Sequence, residues 1–281
     1  MKAGWWQVFN PAIYLVSILP GVAVWLLARP TGDNLSALVL GTLGVVLLQH
    51  AINLLNDVSD WRLGADVNKR DSWVRFHHEN LQTTALHGWA GFLSGGLLGL
   101  WALGLTGRFW ILGAALPMIG LGYLYNAGKC PLSYTRLGEW VTGLCYGPGV
   151  VGCLWLLTGQ HIDATAVLGM VAFAALAVSL LLSHQPPQIE TDRQAGKQSF
   201  AVRYGAARTC QVSRCLFGLF LLSCGLALWL SRHDTITLAV VTAMAMYAFS
   251  QALRSPRGPT RILLPASTVM VARRAAVLVM P

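Results

Sequence analysis

Charged side chains are scarce in this sequence. Only 11% of its 281 residues are charged and 55% are hydrophobic, whereas a soluble globular domain carries about 25% charged residues. So few charges cannot cover a water-facing surface, and we therefore expect lipid to face much of the chain. The apolar segments also recur to the end of the sequence, which excludes a secreted protein with one apolar leader before a polar region.

Cysteine pairs and a basic groove are also missing. The six cysteines form no CxxC pair and lie mostly within or beside apolar segments, so we interpret them as small hydrophobic side chains rather than disulfides or metal ligands. The net charge is +9, but Lys and Arg occur in short loops between apolar segments. This pattern is typical of membrane topology and argues against nucleic acid as a partner.

The long hydrophobic segments predict the fold. A membrane-crossing helix needs about 20 mostly apolar residues, and we predict an all-α transmembrane bundle of about nine helices around a central cavity, in a single domain over residues 1–281. The predicted spans are 11–27, 35–55, 86–105, 110–125, 137–157, 164–183, 212–230, 236–253 and 262–280. Pro265, Arg273 and Arg274 interrupt the last span, so the ninth helix stays an open assignment.

The basic residues predict an orientation. Together with Arg214 at the start of the seventh span, the N-terminus and the loops after the second, fourth, sixth and eighth spans hold 15 of the 20 Lys and Arg residues. Because basic loops tend to stay in the cytoplasm, we expect these segments to lie on the cytoplasmic side.

Acidic residues concentrate after the second span. Five of the eleven lie within residues 57–79. If the span continues as a helix, Asp57 and Asp60 face the same way, with Asn53 and Asn56 on an adjoining stripe. Carboxylate and amide oxygens at the mouth of a helix suit Mg²⁺ and a substrate phosphate.

A solvated loop is the alternative interpretation, since Arg62 could balance these acids. Against it, Gln49 continues the polar line back into the span, where unpaired polar groups are costly and usually functional. Gly64 would let the chain turn so that Asp66 approaches from the loop. We therefore favour a metal–diphosphate site.

A second loop, residues 183–199, combines acidic and basic side chains. Pro186 and Pro187 should break the preceding helix, and Asp192 could hold a second Mg²⁺. Taken alone, such a charge run would be interpreted as a solvated face. Three basic residues could supply positive charge for a departing diphosphate: Arg193, Lys197 and Arg203.

Together the two loops resemble the motifs of the UbiA superfamily of intramembrane prenyltransferases, over residues 10 to about 253. The spacing of the aspartates, with the last one six residues beyond Asp60, is similar to that of the dihydroxynaphthoate (menaquinone) branch. Residues 190–205 of this chain resemble the family's second motif and the segment that follows it. Further segments resemble the same branch: Tyr125-Asn126-Ala127-Gly128, Pro131-Leu132-Ser133-Tyr134, Leu137-Gly138-Glu139 and Tyr146-Gly147-Pro148.

The resemblance implies Mg²⁺-dependent transfer of a polyprenyl group from polyprenyl diphosphate to an aromatic quinone precursor, with 1,4-dihydroxy-2-naphthoate favoured. It also implies an integral protein of the bacterial inner membrane, with its active-site loops on the cytoplasmic side. The implied catalytic residues are Asp57, Asp60 and Asp192. The implied metal ligands are Asn56, Asp57, Asp60, Asp66, Glu190 and Asp192. The implied substrate-binding residues are Asn53, Asn56, Arg62, Tyr125, His184, Gln188, Lys197 and Arg203.

One position departs from the family pattern. Most members have Asp where this chain has Gln188, and an Asn near His184. The arrangement of Ser183, His184 and Gln188 is similar instead to the phylloquinone-type naphthoate prenyltransferases. Gln188 is therefore compatible with activity, and its amide could orient a metal-bound water or the acceptor.

Several alternatives stay open. The acceptor could instead be 4-hydroxybenzoate, homogentisate or a chlorophyll- or haem-type compound, and His184, His77 and His78 are the candidates for handling it. A CDP-alcohol phosphotransferase would need an aspartate run that is absent. A non-catalytic transporter or binding protein is the remaining class, but acids clustered at one face favour the prenyltransferase.

Overall fold

The computed structural model describes residues 8–9, 11–65, 72–126 and 130–232, with single positions at 243, 246, 247, 250 and 254. The long helices, in chain order, are α1 (Pro11–Ala28), α2 (Gly32–Leu63), α3 (Leu81–Thr106), α4 (Leu112–Asn126), α5 (Gly138–Leu157), α6 (Ala164–His184) and α7 (Ala206–Arg232). Short helices connect them: Trp73–Phe76, Ile189–Gln194 and Phe200–Tyr204, with 3₁₀ turns at Phe109–Ile111, Leu132–Tyr134 and Pro186–Gln188.

One side-chain cap and one glycine mark helix ends near the site. Asn80 Oδ1 accepts a 3.0 Å hydrogen bond from the backbone N–H of Thr83 at the start of α3. This bond gives a partner to an N–H group that has none within the first turn of the helix. Gly64 ends α2 with a φ of 83°, a left-handed conformation that glycine adopts without a Cβ penalty. The chain therefore turns directly after the acidic segment, as the sequence predicts.

A wide-turn segment interrupts α5. The α-helical residues Gly138–Leu144 and Cys153–Leu157 flank a π-helical stretch, Cys145–Gly152, that contains Pro148. A Cβ on Gly147 would lie 2.6 Å from the carbonyl oxygen of Met170 on α6. The glycine therefore allows α5 and α6 to pack with their backbones close together.

The hydrophobic core lies where six helices meet. It contains a fully or almost fully buried side chain from each of α1, α2, α3, α5, α6 and α7, namely Val24, Leu38, Ala102, Leu154, Leu176 and Phe217. Elsewhere on α3, Leu93 is 66% exposed and Trp101 is 60% exposed. Large apolar side chains that face outward in this way are expected where lipid, not water, surrounds the bundle.

The described helices agree with the first seven predicted spans. The six segments from α2 to α7 are long and apolar enough to cross a membrane, and α1 contributes a shorter apolar stretch, Tyr14–Ala28. The eighth predicted span is described only at single positions and the ninth lies outside the described residues, so the total of nine helices stays a prediction. All six cysteines are free, and Cys130 and Cys215 are exposed whereas the other four are half-buried.

Candidate active site

Asp57 and Asp60 lie on one face of α2, as predicted, because the helix continues past them to Leu63. Both side chains are buried, with 5% and 3% of their surface exposed. Asp57 Oδ2 accepts a 2.7 Å hydrogen bond from the backbone N–H of Trp73, the first residue of the short helix beyond the loop. This bond holds the returning chain against the acidic end of α2.

Asp60 accepts hydrogen bonds from three separate parts of the chain. Its Oδ2 lies 2.9 Å from Nδ2 of Asn56, one turn earlier on α2, and 3.1 Å from Nζ of Lys197. Its Oδ1 accepts a 2.8 Å hydrogen bond from the hydroxyl of Tyr134. A buried carboxylate needs such donors, because leaving it unpaired away from water would cost several kcal/mol.

The second acidic segment meets the first through Lys197. Asp192 is 6% exposed and its Oδ2 accepts a 3.2 Å hydrogen bond from the hydroxyl of Ser199. Lys197 Nζ lies 3.8 Å from Asp192 Oδ1 and 3.1 Å from Asp60 Oδ2, and 4.7 Å from the centre of the Tyr134 ring. One ammonium group thus lies between the two buried carboxylates, so the two predicted loops do face each other.

A second cluster, formed around the carboxylate of Glu139, holds the segment that follows Lys197. Glu139 Oε1 accepts hydrogen bonds from the backbone N–H of Phe200 at 2.7 Å and from Nε2 of Gln185 at 3.1 Å. Its Oε2 lies 3.6 Å from the guanidinium of Arg203, and Gln185 in turn accepts from the backbone N–H of Ala201 at 3.1 Å. Glu139 therefore ties the end of α6 to the short helix Phe200–Tyr204 and positions Arg203.

Tyr125 lies between the two clusters. Its hydroxyl lies near Thr142, and it is close enough to Glu139, Asp60 and Asp192 to experience the charge of all three. The predicted substrate-binding residue Tyr125 is thus next to the acids. An open pocket of about 530 Å³ adjoins the same region on the loop side, and its lining includes Tyr134, Arg136, Gly196 and Gln198.

Polar side chains continue from the acids into the bundle. The hydroxyl of Ser17 donates a hydrogen bond to Oε1 of Gln49 and lies 3.4 Å from the hydroxyl of Tyr146. One turn further along α2, Asn53 lies near the hydroxyl of Tyr14. Polar groups inside a span are costly and usually functional, and these are paired with one another across three helices.

The remaining predicted site residues lie further out. Arg62, His184 and Gln188 are exposed. Glu190 is also exposed, and its carboxylate is 3.0 Å from the guanidinium of Arg193 on its own short helix. Their assigned roles stay predictions, and Glu190 would have to change partners to bind a metal. Asp66 lies outside the described residues.

The donor set fits a hard divalent cation. Among the described residues no three His, Cys, Asp or Glu side chains form a ready metal cluster. The ammonium of Lys197 nevertheless lies between Asp60 and Asp192 and marks a position where positive charge is stabilised. Carboxylate oxygens with a nearby amide are the ligands that Mg²⁺ accepts in proteins, together with water and phosphate oxygens.

Four contributing side chains were given no role by the sequence reasoning: Tyr134, Glu139, Gln185 and Ser199. Tyr134 and Glu139 lie within segments that carried the family resemblance, and this was the available signal. Gln185 and Ser199 have no distinguishing pattern, because their partners Glu139 and Asp192 are recognisable only in the folded chain.

The fold and this site define an integral membrane protein with a buried, charged site at one end of a helical bundle. Residues 15–263 match the model of the UbiA prenyltransferase family, and the chain belongs to that family. It is 30% identical over 213 residues to a 1,4-dihydroxy-2-naphthoate octaprenyltransferase of Haemophilus influenzae, and the alignment covers 72% of this chain and 69% of the relative. It is 28% identical over 217 residues to a 2-carboxy-1,4-naphthoquinone phytyltransferase of Synechocystis sp., and that alignment covers 74% of this chain and 68% of the relative.

Solved structures share the fold. A UbiA homologue from Aeropyrum pernix K1 without ligand has a TM-score of 0.72 at 15% identity, over 95% of this chain and 98% of that one. A UbiA homologue from Archaeoglobus fulgidus bound to GPP and Mg²⁺ has a TM-score of 0.67 at 16% identity, over 98% and 99%. These likenesses confirm the predicted fold class.

Proposed function

We propose that this protein transfers a polyprenyl group from polyprenyl diphosphate to 1,4-dihydroxy-2-naphthoate in menaquinone-type quinone biosynthesis, with Mg²⁺ as cofactor. Relatives that cover about 70% of the chain carry naphthoate prenyl- or phytyltransferase names, and they support this choice of acceptor over 4-hydroxybenzoate and homogentisate.

The observation that carries the proposal is the position of Lys197 between Asp60 and Asp192. It joins two acidic segments, far apart in sequence, into one site that binds a positive charge. A diphosphate carries several negative charges, so a site for it needs cations between it and the carboxylates. When bound there, Mg²⁺ would supply the charge that stabilises the departing diphosphate.

The residues of the chain have distinct tasks in this proposal. Asp57, Asp60 and Asp192 would hold the metal, with Asn56 beside them and Asp66 and Glu190 as further candidates. Lys197 and Arg203 would contribute fixed positive charge toward the leaving group. The apolar helices would hold the prenyl tail and keep water away from the allylic carbon.

The bond changes follow from the acceptor. The allylic C–O bond breaks and its electron pair leaves with the diphosphate, while the electron-rich ring carbon forms the new C–C bond. With a carboxylated acceptor, carbon dioxide then leaves and its electron pair returns to the ring. Tyr125, beside the acids, would border the reacting groups.

The proposal is tested by incubating purified protein with labelled polyprenyl diphosphate and each of the three acceptors, with and without Mg²⁺. We expect a prenylated product and carbon dioxide from 1,4-dihydroxy-2-naphthoate, and no product when EDTA removes the metal. No product with any acceptor would overturn the enzyme assignment, and product with another acceptor alone would overturn the naphthoate assignment.

Two variants on one helix make the test specific to the site. Asp57→Ala should abolish turnover because it removes a proposed metal ligand. Asp33→Ala is the matched control, since this aspartate is exposed at the opposite end of α2, and it should retain wild-type turnover. Retained activity in Asp57→Ala would remove that residue from the metal assignment.

A further inference from the structure

A row of histidines lies beside the carboxylate site. His50 of α2 and His87 of α3 approach with their Nε2 atoms 3.3 Å apart, and His87 Nδ1 lies 3.2 Å from Nε2 of His77, in the turn after Trp73–Phe76. At the other end, the hydroxyl of Tyr14 lies 2.6 Å from Nδ1 of His50. Four side chains thus form a continuous hydrogen-bonded row from α1 to a loop.

The protons in this row can be counted. Each contact needs one proton between its two atoms, and a neutral imidazole carries one N–H and one acceptor nitrogen. If Tyr14 donates to His50, His50 to His87, and His87 to His77, all three contacts are satisfied with every ring neutral. The opposite order, from His77 toward Tyr14, is equally complete.

The two orders differ by the passage of one proton. A proton that reaches the oxygen of Tyr14 lets the hydroxyl proton move to His50 Nδ1, the His50 Nε2 proton to His87, and the His87 Nδ1 proton to His77. His77 then releases the proton on Nδ1. One proton enters, one leaves, and no ring is charged before or after the transfer.

The inner end of the row adjoins the candidate site. The amide of Asn53 lies near the hydroxyl of Tyr14, and Asn53 is one helical turn before Asp57. Trp73 packs edge-on against His50 and His87, with ring centres 5.1 and 5.5 Å away, and its backbone N–H binds Asp57. The same residue therefore supports both the histidine row and the carboxylate.

The surroundings suit passage of a proton along side chains. Trp73 is 4% exposed and Tyr14 is 5% exposed, so the inner part of the row is shielded from bulk water. The outer end differs, because His77 is only partly buried and residues 78–80 are exposed. Burial, and then His87 and His78, lower the pKa of His77 from its usual value, which favours the neutral form of this ring.

We propose that Tyr14, His50, His87 and His77 form a proton relay that takes the hydroxyl proton of the aromatic acceptor to the loop and returns it after prenyl transfer. The inference rests on the proposed function. Loss of the proton makes the ring oxygen anionic, and its electrons drive C–C bond formation while the diphosphate leaves with the C–O pair. Departure of carbon dioxide restores the ring and its oxygen anion, which recovers the proton.

The test uses His87, because both of its ring nitrogens take part in the row. His87→Ala should lower kcat at least tenfold with little change in KM for the polyprenyl diphosphate. Added imidazole should restore part of the loss, whereas 1-methylimidazole should not, since one of its nitrogens cannot carry a proton. A packing role alone would be rescued by both compounds or by neither. His161→Ala is the control, because this exposed histidine lies in the loop between α5 and α6.

Each outcome decides the inference. A His87→Ala protein that turns over like an active wild type, or rescue by both imidazoles or by neither, would overturn the relay alone. A wild type inactive with every acceptor would overturn the proposed function and the relay with it. If His87→Ala does not fold, His77→Gln removes only the loop end of the row and should show the same loss of kcat.

Discussion

Lys197 is the residue on which the site geometry depends. Its side chain is 14% exposed and contacts two carboxylates that are themselves almost completely buried. Removing one partner from a buried ion pair typically costs about 3–5 kcal/mol, because the remaining charge stays away from water. The pair Arg193–Glu190, by contrast, is exposed on both side chains, and such surface pairs contribute about 0–1 kcal/mol.

At the residue scale we predict that Lys197→Met lowers the melting temperature in detergent without Mg²⁺. Asp60 and Asp192 would lose the ammonium group that they share, and added Mg²⁺ should then stabilise the variant more than the wild type. Thermal unfolding with and without Mg²⁺ measures both effects, and Arg193→Met is the control with little expected change. If Mg²⁺ stabilises the variant no more than the wild type, these two carboxylates do not share the metal.

The packing of α2 against α3 supports the site at the level of helices. A Cβ on Gly95 would lie 2.8 Å from the carbonyl oxygen of Gly44, and one on Gly44 would lie 3.0 Å from that of Gly95. The two backbones therefore meet through a pair of glycines, the small-residue contact by which membrane helices approach closely. This contact sets the distance at which His50 of α2 meets His87 of α3.

At the element scale we predict opposite results for two neighbouring glycines of α3. Gly95→Ala should destabilise the protein by about 1–3 kcal/mol, because its methyl group would press on a backbone atom that cannot rotate away. A Cβ on Gly96 meets nothing within 4 Å, so Gly96→Ala should be neutral or slightly stabilising. Melting temperatures in detergent compare the two, and equal effects would contradict the close approach of the helices.

At the scale of the whole molecule, most charged side chains of the described residues lie at one end of the bundle. The acidic segments, the loop with Tyr134 and the segment with Lys197 meet at one end of the bundle. The loop between α5 and α6, residues 158–163, lies at the opposite end of both helices and contains no Lys or Arg. The positive-inside tendency therefore predicts that the site end faces the cytoplasm.

Cysteine labelling measures this orientation. In a chain whose six free cysteines are replaced by alanine, Arg193→Cys and His161→Cys place one thiol at each end. In intact cells an impermeant maleimide should label the cysteine at position 161 and not that at 193, and inverted vesicles should show the reverse. Labelling at 193 in intact cells would contradict the predicted orientation.

The sequence by itself determined the features that depend on neighbours along the chain. Apolar length predicted the first seven long helices, the three-residue spacing placed Asp57 and Asp60 on one helical face, and the prolines predicted where α6 ends, at His184. Gly64 marked the turn after the acids. Each of these follows from helix geometry and local backbone preference, which act over a few residues.

Only the tertiary structure decided which distant groups meet. The sequence offered Arg193, Lys197 and Arg203 together as sources of positive charge. In the structure Lys197 contacts Asp60 across 137 residues of chain, Arg203 pairs with Glu139 and Arg193 stays at the surface. The row from Tyr14 to His77 likewise joins three long helices and a loop. Such pairings depend on how whole helices rotate and pack against one another, and no local pattern records that rotation.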